Sequence, residues 1–229
     1  MVECDWISLF LPDPAEAAKR QAATTDGVVL LSGTFSPIPY LTAYSRHTKA
    51  LGRRLLLAGG SFLDPGNLAP KGIDLSGVVV GGSIPLDSDV PALKRFHTAI
   101  REAFPQLSPS PSTDAVTLPV YTSMEAVVEA LDASGGKIGE RQRAFRDELS
   151  SLVLDAPQGR VRLDGDRQAV APIYLDRIEP GRAGAVSSRW VRRLDGVEHT
   201  FGGIFTLQTP SPSATDPACV RRQLPPWAG

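Results

Sequence analysis

Cysteine is scarce in this sequence. There are two in 229 residues, Cys4 and Cys219, with no CxxC, and the three histidines, His47, His97 and His199, lie far apart. These spacings do not fit a structural zinc site. The two thiols could close a disulfide in an oxidising compartment or stay free, and spacing leaves both readings open. An excess of one charge is also lacking: 24 basic and 25 acidic side chains give a formal net charge of −1. A chain so balanced has no global pull toward nucleic acid or an anionic membrane. No run approaches the roughly 18 apolar residues that cross a bilayer. The opening Met1-Val2-Glu3-Cys4-Asp5 has no basic n-region and no small-residue cleavage site. No secretion signal is read there, and the chain as written would stay in the cytoplasm unless a leader is missing.

The loops that mark common enzymes are absent. There is no G-x-S-x-G elbow, no Walker A loop and no G-x-G-x-x-G, so neither an enzyme nor a cofactor is expected. Gly59-Gly60-Ser61 and Gly81-Gly82-Ser83 resemble phosphate loops weakly and read better as turn glycines. Asp164 and Asp166 lack the rest of an EF-hand and read as a hairpin turn. His47 and His97 fall on helical stretches among Arg and Lys, the pattern of a solvated face. Trp190 with Arg189, Arg192 and Arg193 reads as an exposed strand face rather than a nucleic-acid contact.

What is present is a 42% apolar chain with alternating element signals. Residues 5–11 alternate as a strand. Asp13, Pro14 and Glu16 then form a helix start, with a helix to about Ala23 and a break at Asp26-Gly27. Val28–Leu31 reads as a strand buried on both faces. Ser36-Pro37 opens a helix with Ile38, Leu41, Tyr44, Thr48 and Leu51 inward and Gly52 as its stop. Leu55–Leu57 and Gly77–Gly81 are further strands, so the first part predicts a parallel sheet flanked by helices. Three helical stripes follow. They are Val90, Leu93, Phe96, Ile100 and Phe104; then Val116, Val120, Met124, Val127, Val128 and Leu131; then Phe145, Leu149 and Leu152. Leu107–Thr113 is a Pro/Ser loop between the first two stripes. A hairpin over Gly159–Leu163 and Ala169–Ile178 turns at Asp164-Gly165-Asp166. A second over 187–201 turns at Asp195-Gly196, and the last 20 residues form an irregular tail.

In this order the segments resemble the C-terminal half of the type I periplasmic substrate-binding proteins, specifically the Leu/Ile/Val-binding family. The resemblance is carried by Asp26–Gly33, Leu55–Ser61, Leu75–Val80 with Ile84–Asp87, Phe96–Phe104, Tyr121–Leu131, Arg143–Leu149 and, best of all, Ala156–Asp164. It covers about residues 5–180. It implies an α/β fold with residues 1–84 and 158–180 in a second lobe and helices 85–157 completing a first lobe. Residues 181–229 stand outside, as a hairpin and tail, and the fold's N-terminal half is not represented. The implied function is solute binding for an ABC importer, with a branched-chain amino acid or related small amide or carboxylate held between lobes. The same fold would also suit a ligand-sensing regulatory module or a non-binding remnant.

The site implied is formed by two loops at strand ends. Thr34, Phe35 and Ser36 make the first. Phe35 takes the place of an aromatic ring over the ligand, while Ser36 reads as a helix cap whose neighbouring N–H groups could receive a carboxylate. Ser61 stands in the second, where amino-acid-binding members carry an acid for the ligand's ammonium. The partners implied are a small molecule, an ABC permease and the unrepresented N-terminal lobe segment, with no nucleic acid. Exposed apolar surface on helices 89–104 and 119–132 would favour self-association. The location implied is periplasmic or extracellular, with a lipid anchor.

Overall fold

This computed structural model of the chain describes residues 14–32, 37–49, 51–59, 68, 71–86, 90–107, 111–180, 186–203, 205, 206 and 208. The expected strand at 5–11, the cysteines and the C-terminal tail lie outside these residues. Pro14 opens α1 (Pro14–Thr24), where its missing N–H is not needed by the helix. Ala17, Ala18 and Ala22 are buried, and their small side chains let α1 lie close to α2 (Ile38–His47). The Tyr40 hydroxyl donates to Gln21 across this contact. α2 buries Tyr40, Leu41, Ala43 and Tyr44 and ends at His47, with Thr48 as its cap. Gly52 is therefore not the stop; it lies inside the short α3 (Leu51–Arg54). α1 has no basic residue in its last turn. Arg54 supplies that charge from a distance, donating to the carbonyls of Ala22, Thr25 and Asp26.

Short apolar runs form β1 (Val28–Leu31), β2 (Leu55–Ala58) and β3 (Val79–Gly82), which pair in parallel. The register aligns Leu30 with Leu57 and Leu57 with Val80, putting these side chains on one face. That face packs on α1 and α2 as the larger core, which includes Leu41, Tyr44, Leu55, Val78 and Ile178. β1 departs from expectation. Val29 is 62% and Leu31 74% exposed, so the strand buries one face rather than two.

The other helices are α4 (Pro91–Ala103), α5 (Pro111–Ala133) and α6 (Gly139–Ser151). α5 begins inside the stretch read as a loop, because proline is accepted in a first turn. Its inward residues are Asp114, Leu118, Thr122 and Ala130, while Val116, Val120, Met124 and Val128 face outward. Ile84, Leu93, Phe96 and Leu118 form a second, smaller core, and Leu86 packs against both cores.

After α6 the chain forms β4 (Val153–Ala156), unforeseen in the sequence, then β5 (Gly159–Leu163) and β6 (Ala169–Pro180). β4, β5 and β6 are joined antiparallel, and β6 pairs antiparallel with β3, giving the order β1-β2-β3-β6-β5-β4. The expected hairpin at Asp164–Asp166 is present. Asp164 Oδ1 accepts the amides of Asp166 and Gln168 at 2.9 and 2.8 Å. The second expected hairpin is not. Residues 186–197 form one strand, β7 (Val186–Val197), along β6. Asp195 and Gly196 sit where Ala171 pairs with Val197 and Ile173 with Leu194, so β7 carries two residues opposite Pro172. Proline gives no ladder N–H, and Gly196 at φ 67 absorbs the bulge.

His97 is a further correction. Its side chain is 12% exposed and its Nε2 lies 2.8 Å from Asp114 Oδ2, joining α4 to α5 instead of facing solvent. Burial pushes the Asp114 carboxyl above its ordinary range, against the opposing hydrogen bond and charge of His97. Its Oδ1 is buried with no hydrogen-bond partner. A raised carboxyl pKa means that the folded state holds this proton more tightly than the unfolded chain. The stability it contributes is full below the unfolded value of 3.8 and is lost as pH rises through the folded value. Asp114→Asn should remove that dependence. Chemical denaturation should find the variant level with the parent near about pH 3 and ahead of it near about pH 7. A constant difference across that range would contradict this account.

Candidate functional site

In open α/β sheets the backbone leaves the carboxyl ends of parallel strands as loops, and ligands bind in the crevice there. Here the ends of β1 and β2 are joined by one hydrogen bond: the Ser32 N–H donates to the Ala58 carbonyl at 2.9 Å. Beside it, Gly59 has φ +110, and a Cβ built there would stand 2.0 Å from Ser32 O. Only glycine permits both the conformation and the contact. The two exits are thereby held against each other.

The expected ligand residues follow directly from these exits. Thr34, Phe35 and Ser36 come after Ser32, and Ser61 after Gly59; all four lie outside the described residues. The described neighbours are Ser32, Gly59 and Pro37. Pro37 is the N-cap of α2, with no side-chain cap hydrogen bond, and its carbonyl accepts the Leu41 amide at 3.0 Å. The helix start expected at Ser36-Pro37 is thus present, with Pro37 in the capping position that the sequence reading gave to Ser36.

A joint lies next to the third exit. Ile84 and Pro85 are buried where the chain leaves β3. The Leu86 N–H donates to Asp176 Oδ2 at 3.2 Å, and Asp176 is 1% exposed on β6. Two residues earlier, the Tyr174 hydroxyl donates to the Gln158 carbonyl at 2.6 Å, and the Thr122 hydroxyl to Gln158 Oε1 at 3.1 Å. These bonds tie β6 to the β4–β5 turn and to α5. Burial raises the Tyr174 pKa, with Arg193 opposing. Sequence reasoning missed this joint. Its visible signal was Asp176, a carboxylate in the buried phase of a strand that alternates Val170, Tyr174 and Ile178.

Other polar groups read as structure. Asp164, Glu198 and His199 each bring a possible metal-ligating atom within 4.8 Å of the others. Asp164 is held by amides of its own turn. The Gln168 amide is the main cause of its lowered pKa. Glu198 accepts from the amides of Thr200 and Gly202. Trp190 is 55% exposed on β7, as expected of an open strand face. Among the described residues no helix is long and apolar enough to cross a membrane.

Comparison with known proteins agrees with this geometry. The family described as periplasmic binding protein matches residues 13–185. No curated protein matches. Among solved structures, an ABC transporter substrate-binding protein from Sphaerobacter thermophilus is 23% identical with a TM-score of 0.64, covering 80% of this chain and 48% of its own. A solute-binding protein of an ABC transporter from Rhodopseudomonas palustris BisB5, in complex with 3,4-dihydroxy benzoic acid, is 21% identical with a TM-score of 0.61, covering 82% and 50%. The leucine-, isoleucine-, valine-, threonine- and alanine-binding protein from Brucella ovis is 19% identical with a TM-score of 0.58, covering 81% and 47%. The chain spans about half the length of these solved relatives. The family is one of solute-binding proteins rather than enzymes. With three parallel strands side by side in one sheet and a family match over residues 13–185, this chain belongs to the periplasmic binding protein family.

Proposed function

We propose that this chain forms one wall and the joint of a two-lobed cleft that captures a small carboxylic acid for an ABC importer at the periplasmic or outer face of a membrane. The observation that carries the reading is the pinning of the β1 and β2 exits by Ser32, Ala58 and Gly59, which brings the two strand ends together at the edge where ligands of such sheets bind. Ser61, in the place of an acid, favours a ligand without an ammonium group, and the benzoic acid held by the Rhodopseudomonas relative is of that kind. The two cores that meet at Leu86 support a division into parts of two lobes. The outward stripe of Val116, Val120, Met124 and Val128 on α5 supports a covering by the remaining half of such a fold, carried on the same polypeptide or another.

Thermal unfolding with aromatic and aliphatic carboxylates, amides and branched-chain amino acids tests this. A ligand present at about 100 times its Kd stabilises the folded state by about 2.7 kcal/mol, so a binder raises Tm. Benzoate-type acids should raise it and leucine should not. A response to leucine alone would overturn the assignment to acids that lack an ammonium group. No response to any of them, in this chain or in one joined to the remaining half of the fold, would overturn the proposal.

A further inference from the structure

A basic surface groove, whose four arginines are all exposed, lies outside the strand-end site. It has a volume of about 510 Å³ and is lined by Arg141, Arg143, Arg146 and Arg167, with Asp147, Ser150 and the apolar Leu149 and Leu163. Three of the arginines stand on α6 and the fourth in the turn between β5 and β6. None of the ion pairs among the described residues uses any of the four guanidiniums.

Much of this arrangement runs against local preference, although Arg143 has Asp147 four residues on. Arg141 lies in the first turn of α6, where the helix dipole disfavours a cation, and Arg143 and Arg146 are like charges three residues apart. The N-cap, Ile138, makes no side-chain hydrogen bond. Arg141 and Gln142 hold left-handed φ values of 57 and 62, which non-glycine residues adopt at a cost. Local preference is contradicted several times in one place, which is how functional sites depart from an otherwise consistent sequence.

We propose that this groove binds a polyvalent phosphate-type anion. Guanidinium forks match phosphate oxygens in pairs, and four of them exceed what one carboxylate can satisfy. The volume is ample for more than one phosphate group or for a phosphate on a larger body, and Leu149 and Leu163 give an apolar surface beside the charges. A soluble oligophosphate and a phospholipid headgroup share this chemistry. The site is independent of the proposed solute cleft, because its residues belong to α6 and the β5–β6 turn.

The test is titration calorimetry of the purified chain with tripolyphosphate, beside co-sedimentation with phosphatidylcholine vesicles with and without phosphatidylglycerol. Saturable binding that weakens with salt is expected in at least one arm. Arg143→Gln and Arg167→Gln should each weaken it about tenfold, and Arg167→Lys by less, since lysine keeps the charge without the fork. Arg189→Gln, on β7, should leave binding unchanged. Circular dichroism and Tm establish that the variants fold. Binding of tripolyphosphate alone assigns a soluble anion, and binding of anionic vesicles alone assigns a headgroup. Binding in neither arm, or equal loss in Arg189→Gln and Arg167→Gln, overturns the proposal.

Discussion

Replacing Gly59 by alanine should destabilise this protein by about 3 kcal/mol or more, a loss read as a fall in the urea midpoint at unchanged m-value. Two costs add. At φ +110 an L side chain is strained in any surroundings, and the new Cβ would stand 2.0 Å from Ser32 O, with Ser32 C at 2.9 Å and Ser32 N at 3.2 Å. All three neighbours are backbone, so no flexible side chain can swing aside. Relief requires that the β1 and β2 exits separate, which would break the bond from Ser32 N–H to Ala58 O. The variant should therefore lose its response to ligand even where it stays folded. A loss below about 1 kcal/mol with ligand response intact would show that the exits are not held in this way.

The second large effect contrasts the two faces of the sheet. Leu57→Ala removes a side chain with no exposed surface from the middle of the larger core and should cost about 3–5 kcal/mol. Leu31→Ser, one strand away on the opposite face, should cost less than about 0.5 kcal/mol, because Leu31 is 74% exposed in this chain. Denaturant unfolding of both variants checks the contrast. The same Leu31 substitution in a two-lobed assembly that covers this face should cost measurably more. Equal costs for the two positions in the isolated chain would mean that the open face is covered by contacts of its own.

Several elements were legible in the sequence because short-range chemistry decides them. Pro14 and the break at Asp26-Gly27 bound α1, the apolar runs Val28–Leu31 and Leu55–Leu57 became parallel strands, and Asp164–Asp166 became a hairpin turn. The ordered resemblance of these segments to periplasmic binding proteins was legible for the same reason. It is carried by turn residues and strand composition, which local backbone preference fixes.

Tertiary structure decided what depends on partners distant in sequence. The register that puts Leu57 beside Val80 and leaves Val29 and Leu31 outward depends on which face the helices take. The single long β7 depends on β6 offering a full edge, with Gly196 absorbing the irregularity opposite Pro172. His97 reads as a surface residue until α5 brings Asp114 against it. Arg54 carries no signal in the sequence, and only the fold brings it to the carbonyls of Ala22 and Thr25 at the end of α1. Composition and spacing determine where this chain turns and which segments are apolar, because those depend on neighbours along the chain. Which charges are buried, which strand faces stay open and which loops are held together depend on contacts between remote segments, and only the packed fold supplies them.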